Sequence, residues 1–205
     1  IIENNLTIKL GDLISYSIKL LGEQGLETKN SSTEKEILFF LKERMRNILK
    51  EKKIRNDIIE ASISSHTGDN FLDLFRKNIL MNKHIDKESG KNAISSYKRA
   101  SNIIEKTENN ITGRPDPVLF RQVEEKVLFE KINEVRKAFT VKEEDKNYEN
   151  LLIKLSETKQ ITDNFFENVK VNDENNDIKN NRLELLKMFC NTFNNFINFS
   201  KLEGL

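Results

Sequence analysis

Apolar positions along this chain recur at helical spacing. From Leu10 to Leu21, Leu13, Ile14, Ile18 and Leu21 mark a short amphipathic helix. Thr33 followed by Glu36 has capping-box spacing. It opens a predicted helix with Ile37, Phe40, Leu41, Met45, Ile48 and Leu49 on one stripe. Asn56 or Asp57 starts a short helix through Ile58, Ile59 and Ile63. Asp69 fits the N-cap of a helix from Phe71 to Ile85, striped by Leu72, Phe75 and Ile79. A longer helix is predicted from about Asp86 to about Lys106, with Ala93, Tyr97, Ala100 and Ile104 inward.

Arg114-Pro115-Asp116-Pro117 punctuates the pattern. Asp116 suits an N-cap, and Pro117 suits a first helical position, where its missing N–H costs nothing. The helix predicted after it runs to about Phe139, with Phe120, Val123, Val127, Leu128 and Ile132 inward. Tyr148, Leu151, Leu152 and Leu155 define another, and Ile161, Phe165 and Phe166 a short one. The last runs from about Asp177 to Phe199 on Ile178, Leu185, Leu186, Phe189, Phe193 and Phe196. Short polar stretches separate these segments, at 22–32, 64–68, 109–116, 140–146 and 172–176. No repeat, flexible linker or alternating strand pattern interrupts them. The expectation is an all-α, multi-helix bundle of about eight helices.

With 205 residues the chain is long enough for one domain or two small ones. Seven glycines, two prolines and 33% charged residues agree with a helical chain. A single cysteine, Cys190, excludes a disulfide framework and a cysteine-based zinc site, and reads as a small buried hydrophobe. Two histidines, His66 and His84, leave little for a metal site or a Ser-His-Asp triad, and both read as surface residues. No apolar run reaches a membrane span and no signal peptide is visible. The chain starts with Ile1, as an excised domain would, and a reducing cytoplasm is the default expectation.

The net charge of +1 is not that of a strongly basic nucleic-acid binder, so local clusters matter. Lys42 to Arg55 holds seven cations (Lys42, Arg44, Arg46, Lys50, Lys52, Lys53, Arg55) against Glu43 and Glu51. Such a cluster stabilises a helix C-terminus, or it contacts phosphates. Tyr97-Lys98-Arg99-Ala100-Ser101-Asn102 is the second cluster. Tyr97 and Ala100 fall on the buried stripe; Lys98, Arg99 and Asn102 fall off it, with Lys98 and Asn102 on one face. Arg and Asn suit base edges and Lys suits phosphates. Asn180-Asn181-Arg182 follows an acidic turn, where capping and ion pairing compete with RNA contact as explanations. No glycine-rich phosphate loop is present, and Asp163, Glu167 and Asp173 have no base or nucleophile paired with them in the pattern. Reaction chemistry is absent from it.

Residues 162–202, TDNFFENVKVNDENNDIKNNRLELLKMFCNTFNNFINFSKL, resemble the C-terminus of the bacterial glycyl-tRNA synthetase β subunit. A Phe-Phe pair, a Val-rich turn and an acidic link precede an Asn-Arg-Leu helix. Three further segments fit the same family in order: FFLKER at 39–44 with DIIEA at 57–61, YKRASNII at 97–104, and DPVLF at 116–120. Residues 1–14 resemble the segment preceding that domain. Lys170 stands between Val169 and Val171, where the family usually has an apolar residue.

The resemblance implies a helical, DALR-type anticodon-binding domain over 31–205, with a linker helix before it over 1–30. It implies recognition of tRNA(Gly) by the non-catalytic part of a glycine–tRNA ligase. ATP and Mg would be used by the separate α subunit, with no cofactor in this domain. The partners implied are tRNA(Gly), the rest of the β subunit and the α subunit, in an α2β2 assembly. By the motif match and the basic clusters together, the candidate tRNA-binding residues are Arg44, Arg46, Lys53, Arg55, Lys98, Arg99, Asn102, Asn181 and Arg182. A scaffold that organises the synthetase subunits without reading bases is the alternative.

Overall fold

In a computed structural model the described residues are 1–26, 32–65, 69–107, 111–141 and 146–203. Among them are nine α-helices: α1 (Leu10–Glu23), α2 (Thr33–Glu51), α3 (Asn56–Ser65), α4 (Phe71–His84), α5 (Glu88–Ile104), α6 (Val123–Phe139), α7 (Tyr148–Ser156), α8 (Thr158–Asn168) and α9 (Asn176–Asn194). Two short 3-10 turns, Pro117–Leu119 and Phe199–Lys201, complete the described secondary structure, which contains no strand. The all-α expectation holds. His66 lies outside the described residues.

The chain divides into two compact units, Ile1–Asn82 and Lys83–Leu205. In the first, α1 packs on α2 and α2 on α3. Helix α1 belongs to this unit. Its core holds Met45, Leu49, Ile58, Ile59, Leu72, Leu74 and Met81. Several stripe residues face outward instead: Leu13 and Leu21 on α1, and Phe40, 60% exposed, beside the unexpected Phe39, 67% exposed, on α2. On α4 the inward face is Leu74-Asn78-Met81, with Phe75 half-buried and Ile79 exposed. Asn78 is tolerated inside because its amide nitrogen donates to Ser62 Oγ at 2.6 Å and the Leu74 carbonyl at 2.8 Å.

Two caps shift by one residue. Ser32 precedes α2 and its hydroxyl donates to Glu36 at 2.6 Å. Asn70, not Asp69, accepts the Asp73 N–H at the start of α4. The Asp69 carboxylate is taken by the Gly11 N–H at 2.7 Å.

In the second unit α5 packs on α7, α8 and α9, and α6 on α7, α8 and α9. The core is aromatic: Tyr97, Phe189, Phe193 and Phe199 stack with centroid separations between 4.7 and 5.9 Å. Burial pushes the Tyr97 phenol above its ordinary value. Cys190 is buried as expected, and burial pushes its thiol up to about 12. His84 is buried rather than at the surface: Nδ1 lies 3.0 Å from Ser89 Oγ and Nε2 3.2 Å from a Glu149 carboxylate oxygen.

The helix expected directly after Asp116-Pro117 is only one 3-10 turn, capped by Asp116, which accepts the Val118 N–H at 3.0 Å. Phe120 then turns extended, and α6 starts at Val123. Glu125 explains that start: its carboxylate accepts the Arg121 and Gln122 N–H groups, both at 2.8 Å. Val123 and Val127 consequently face solvent, while Glu125, Leu128, Ile132 and Val135 face in. α9 also ends sooner than expected. The Asn194 side chain accepts the Phe199 N–H at 3.1 Å, and the chain closes with its 3-10 turn.

Candidate nucleic-acid interface

The basic cluster of the first unit separates into open and engaged cations. Arg46 pairs with Glu43 and Glu60. Arg55 grips Asp57 with two nitrogens, at 3.1 and 2.8 Å. Arg44 is exposed, with no ion pair among the described residues. Lys53 ends α2 in the left-handed region, at φ 59°. Its N–H bonds the Lys50 carbonyl and the Ile54 N–H reaches back to Leu49. That pair of bonds is a Schellman closure, usually built on glycine. Lys53 therefore terminates a helix and leaves its exposed ammonium in solvent.

In the second unit α5 turns Tyr97 and Ala100 inward, which leaves Arg99 and Asn102 exposed and Lys98 half-buried. Lys98 and Asn102, one turn apart, have no side-chain hydrogen bond or ion pair among the described residues. Arg99 differs. Its guanidinium donates to Asp163 at 3.1 Å and lies over the Phe166 ring at 4.6 Å from the centroid. Lys159 pairs with the same Asp163. Arg99 is thereby fixed to α8, while Lys98 and Asn102 remain open to a ligand.

Asn181 and Arg182 are interior residues, each about 95% buried. The Asn181 amide takes both sides of one residue: Oδ1 accepts the Asp116 N–H at 2.6 Å and Nδ2 donates to the Asp116 carbonyl at 2.9 Å. Arg182 Nε donates to Glu125 at 2.9 Å, and Nη1 to Asp173 at 2.7 Å and the Lys170 carbonyl at 2.9 Å. The bond from the Asn175 backbone, aided by Arg182, holds the Asp173 carboxyl below the usual range. The Lys170 side chain points to solvent while its carbonyl serves Arg182. So the matched Asn-Arg pair occupies the framework of the unit, whereas Lys98 and Asn102 occupy its surface.

Two carboxylates that the pattern of the sequence does not single out complete that framework. Glu125 is the buried partner of Arg182. Glu184, one turn after Asn181, accepts the backbone N–H groups of Thr112, Gly113 and Arg114 and the Thr112 hydroxyl. Burial pushes the Glu184 carboxyl up, but these donors outweigh it and hold it below its ordinary value. Gly113 sits at φ 81°, and a Cβ there would lie 2.9 Å from the Asn191 amide nitrogen. On a polar helix face both carboxylates look like solvated residues; only the neighbouring backbone reveals their use. Among the described residues no group of His, Cys, Asp and Glu is arranged to hold a metal, and no helix is long and apolar enough to cross a membrane.

Fold and surface together define an all-helical module with cations and amides on a braced framework. The DALR anticodon binding domain family matches residues 93–203, and the chain belongs to that family. It is similar to the glycine–tRNA ligase beta subunit of Rickettsia africae (strain ESF-5), 35% identical over 202 residues that cover 98% of this chain and 29% of the relative. The beta subunits of Rickettsia canadensis (strain McKiel) and Rickettsia bellii (strain OSU 85-389) are 33% and 32% identical, each over 98% of this chain and 29% and 28% of the relative. The chain thus spans under a third of the length of these relatives.

Proposed function

We propose that this chain binds tRNA(Gly) at its anticodon region, as the non-catalytic C-terminal part of a glycine–tRNA ligase β subunit. The observation that carries the reading is the pair Lys98 and Asn102. Both lie on α5 within the family match, and neither has a side-chain partner among the described residues. Unpaired anticodon bases expose edges that side-chain amides and cations read, and lysines hold the backbone between them. Arg44 and Lys53 of the first unit add phosphate attraction. Arg46 and Arg55 are engaged with carboxylates and contribute less. Activation of glycine, with ATP and Mg, belongs on this reading to the α subunit, and the assembly is cytoplasmic and α2β2.

A second reading concerns the first unit alone. Phe39 and Phe40 stand exposed side by side on α2, which suits contact with protein better than with RNA backbone. The remainder of the β subunit or the α subunit is the partner that this reading implies.

Titration of the chain with a tRNA(Gly) transcript and an anticodon-altered transcript, at two salt concentrations, tests the RNA reading. Tighter binding of the native anticodon at both salts supports it. Equal binding that collapses with salt leaves only phosphate attraction, and the scaffold reading takes its place.

A further inference from the structure

The second unit contains an open cleft of about 420 Å³ between α6, α9 and the segment at 112–115. α6 contributes Phe129, Asn133 and Arg136, spaced so that they share one face. α9 contributes Asn191 and Asn195, one turn apart, and Arg114 also lines the cleft. A neighbouring hollow shares Asn133, Arg136 and Asn195 and extends along α6 to Lys137. Among the described residues neither guanidinium has an ion pair, and none of the three amides has a side-chain hydrogen bond. Five polar side chains thus converge on one cleft with their donors and acceptors open to a ligand.

The framework described above builds this cleft. Glu184 pins the backbone of Thr112, Gly113 and Arg114, and Asn181 pins Asp116 on the other side of Pro115. Gly113 lets the segment approach Asn191. Arg182 ties α9 to α6 through Glu125. The position of Arg114 against the α6 and α9 faces is therefore set by the Glu184 and Asn181 side chains rather than left to a free loop.

We propose that this cleft receives an unpaired nucleotide of an RNA strand, with Arg114 and Arg136 on the flanking phosphates and Asn133, Asn191 and Asn195 on the base edge. The proposal rests on the tRNA reading above and adds to it a place and a set of side chains. Guanidinium groups match phosphate oxygens with paired donors. An asparagine amide offers a donor and an acceptor together, which is the pattern of a base edge. An acidic peptide would call for donors alone, so the amides favour a base. The Phe129 ring, already edge-on to Phe120 at 5.5 Å, supplies an apolar wall. The volume lies at the small end of ligand sites, about 300 to 1,000 Å³.

The test uses the 205-residue chain, the two transcripts and fluorescence anisotropy at about 50 and about 200 mM salt. Asn191→Ala with Asn195→Ala is expected to cut discrimination between the transcripts roughly tenfold, with little change in salt slope. Arg114→Ala with Arg136→Ala is expected to weaken both transcripts alike and to lower the salt slope by roughly 1.4, at about 0.7 per phosphate contact on a single strand. All four side chains are exposed, and circular dichroism melting confirms that each variant is folded. If melting shows either double variant unfolded, Arg136→Glu and Asn195→Asp, which repel a phosphate or alter the base edge without emptying the cleft, carry the same test. Unchanged discrimination and affinity in folded variants, with a discriminating wild type, overturns the cleft and leaves the tRNA reading standing. A wild type that binds without discriminating overturns base readout in the cleft. No binding by the wild type at low salt overturns the tRNA reading, and the cleft with it.

Discussion

Arg182 donates to Glu125 at 2.9 Å from α9 to α6, with 4% of one side chain and 0% of the other exposed to water. Removing one partner of such a pair strands a charge in the interior. Arg182→Ala is expected to destabilise the second unit by about 3–5 kcal/mol in urea unfolding followed by circular dichroism. Arg182→Met with Glu125→Gln should recover most of that loss, because the glutamine keeps an acceptor for the Arg121 and Gln122 N–H groups. A loss as large in the double variant as in the single one would show that the charge pair is not what matters there.

Glu184 gives a pH dependence. Its folded carboxyl titrates below the ordinary value, because backbone N–H groups at 112–114 overcome burial. A depressed acid stabilises the fold above its unfolded pKa of about 4.3, and that contribution disappears as pH falls through the folded pKa. Asp173, depressed by the Asn175 backbone and Arg182, acts in the same direction. Glu184→Gln should therefore flatten, without abolishing, the drop in urea midpoint between about pH 5 and pH 2. Equal acid slopes in wild type and variant would contradict the assignment.

Gly90 is fixed by close approach. A Cβ there would lie 2.2 Å from the His84 carbonyl oxygen and 2.7 Å from Ile85 Cα, both of them backbone. The backbone cannot swing aside as a flexible side chain would, so Gly90→Ala should cost at least about 1–3 kcal/mol. Gly22, with nothing within 4 Å of a built Cβ and inside α1, is the control: Gly22→Ala should hold or raise the melting temperature.

Lys98 and Arg99 are neighbours with different expected losses. Lys98→Ala should lower tRNA affinity and reduce the salt slope by about 0.7–0.9, with the melting temperature unchanged. Arg99→Ala releases Asp163 and the Phe166 ring, so it should also loosen α5 from α8. The expected stability loss there is below about 1 kcal/mol, since the pair is partly exposed. Identical melting and salt profiles for the two variants would sink this division.

The helical class of the chain was legible because its apolar residues keep a period near 3.6 and breakers are few. What escaped was which face wins. Phe40 lies on the apolar stripe of α2 and yet faces solvent, while Asn78 breaks the stripe of α4 and is fully buried. Hydropathy cannot foresee the Ser62 hydroxyl that makes Asn78 acceptable inside. The Asp116-Pro117 start was locally sound, but Glu125 offers a second, better-satisfied start six residues on. The matched Asn181-Arg182 pair carried two meanings in the sequence, and only its partners at Asp116 and Glu125 separate them. Arg114, Asn133, Arg136, Asn191 and Asn195 gave no local signal, because polar residues on separate helices look like solvated faces until the helices meet.

Cys190 adds a built-in clock. It is the one thiol in the chain, it belongs to the second unit, and burial keeps it protonated and out of reach of reagents. Its rate of alkylation under native conditions reports how often α9 opens, with no label introduced and no signal from residues 1–82. Bound RNA that spans α6 and α9 would slow that clock.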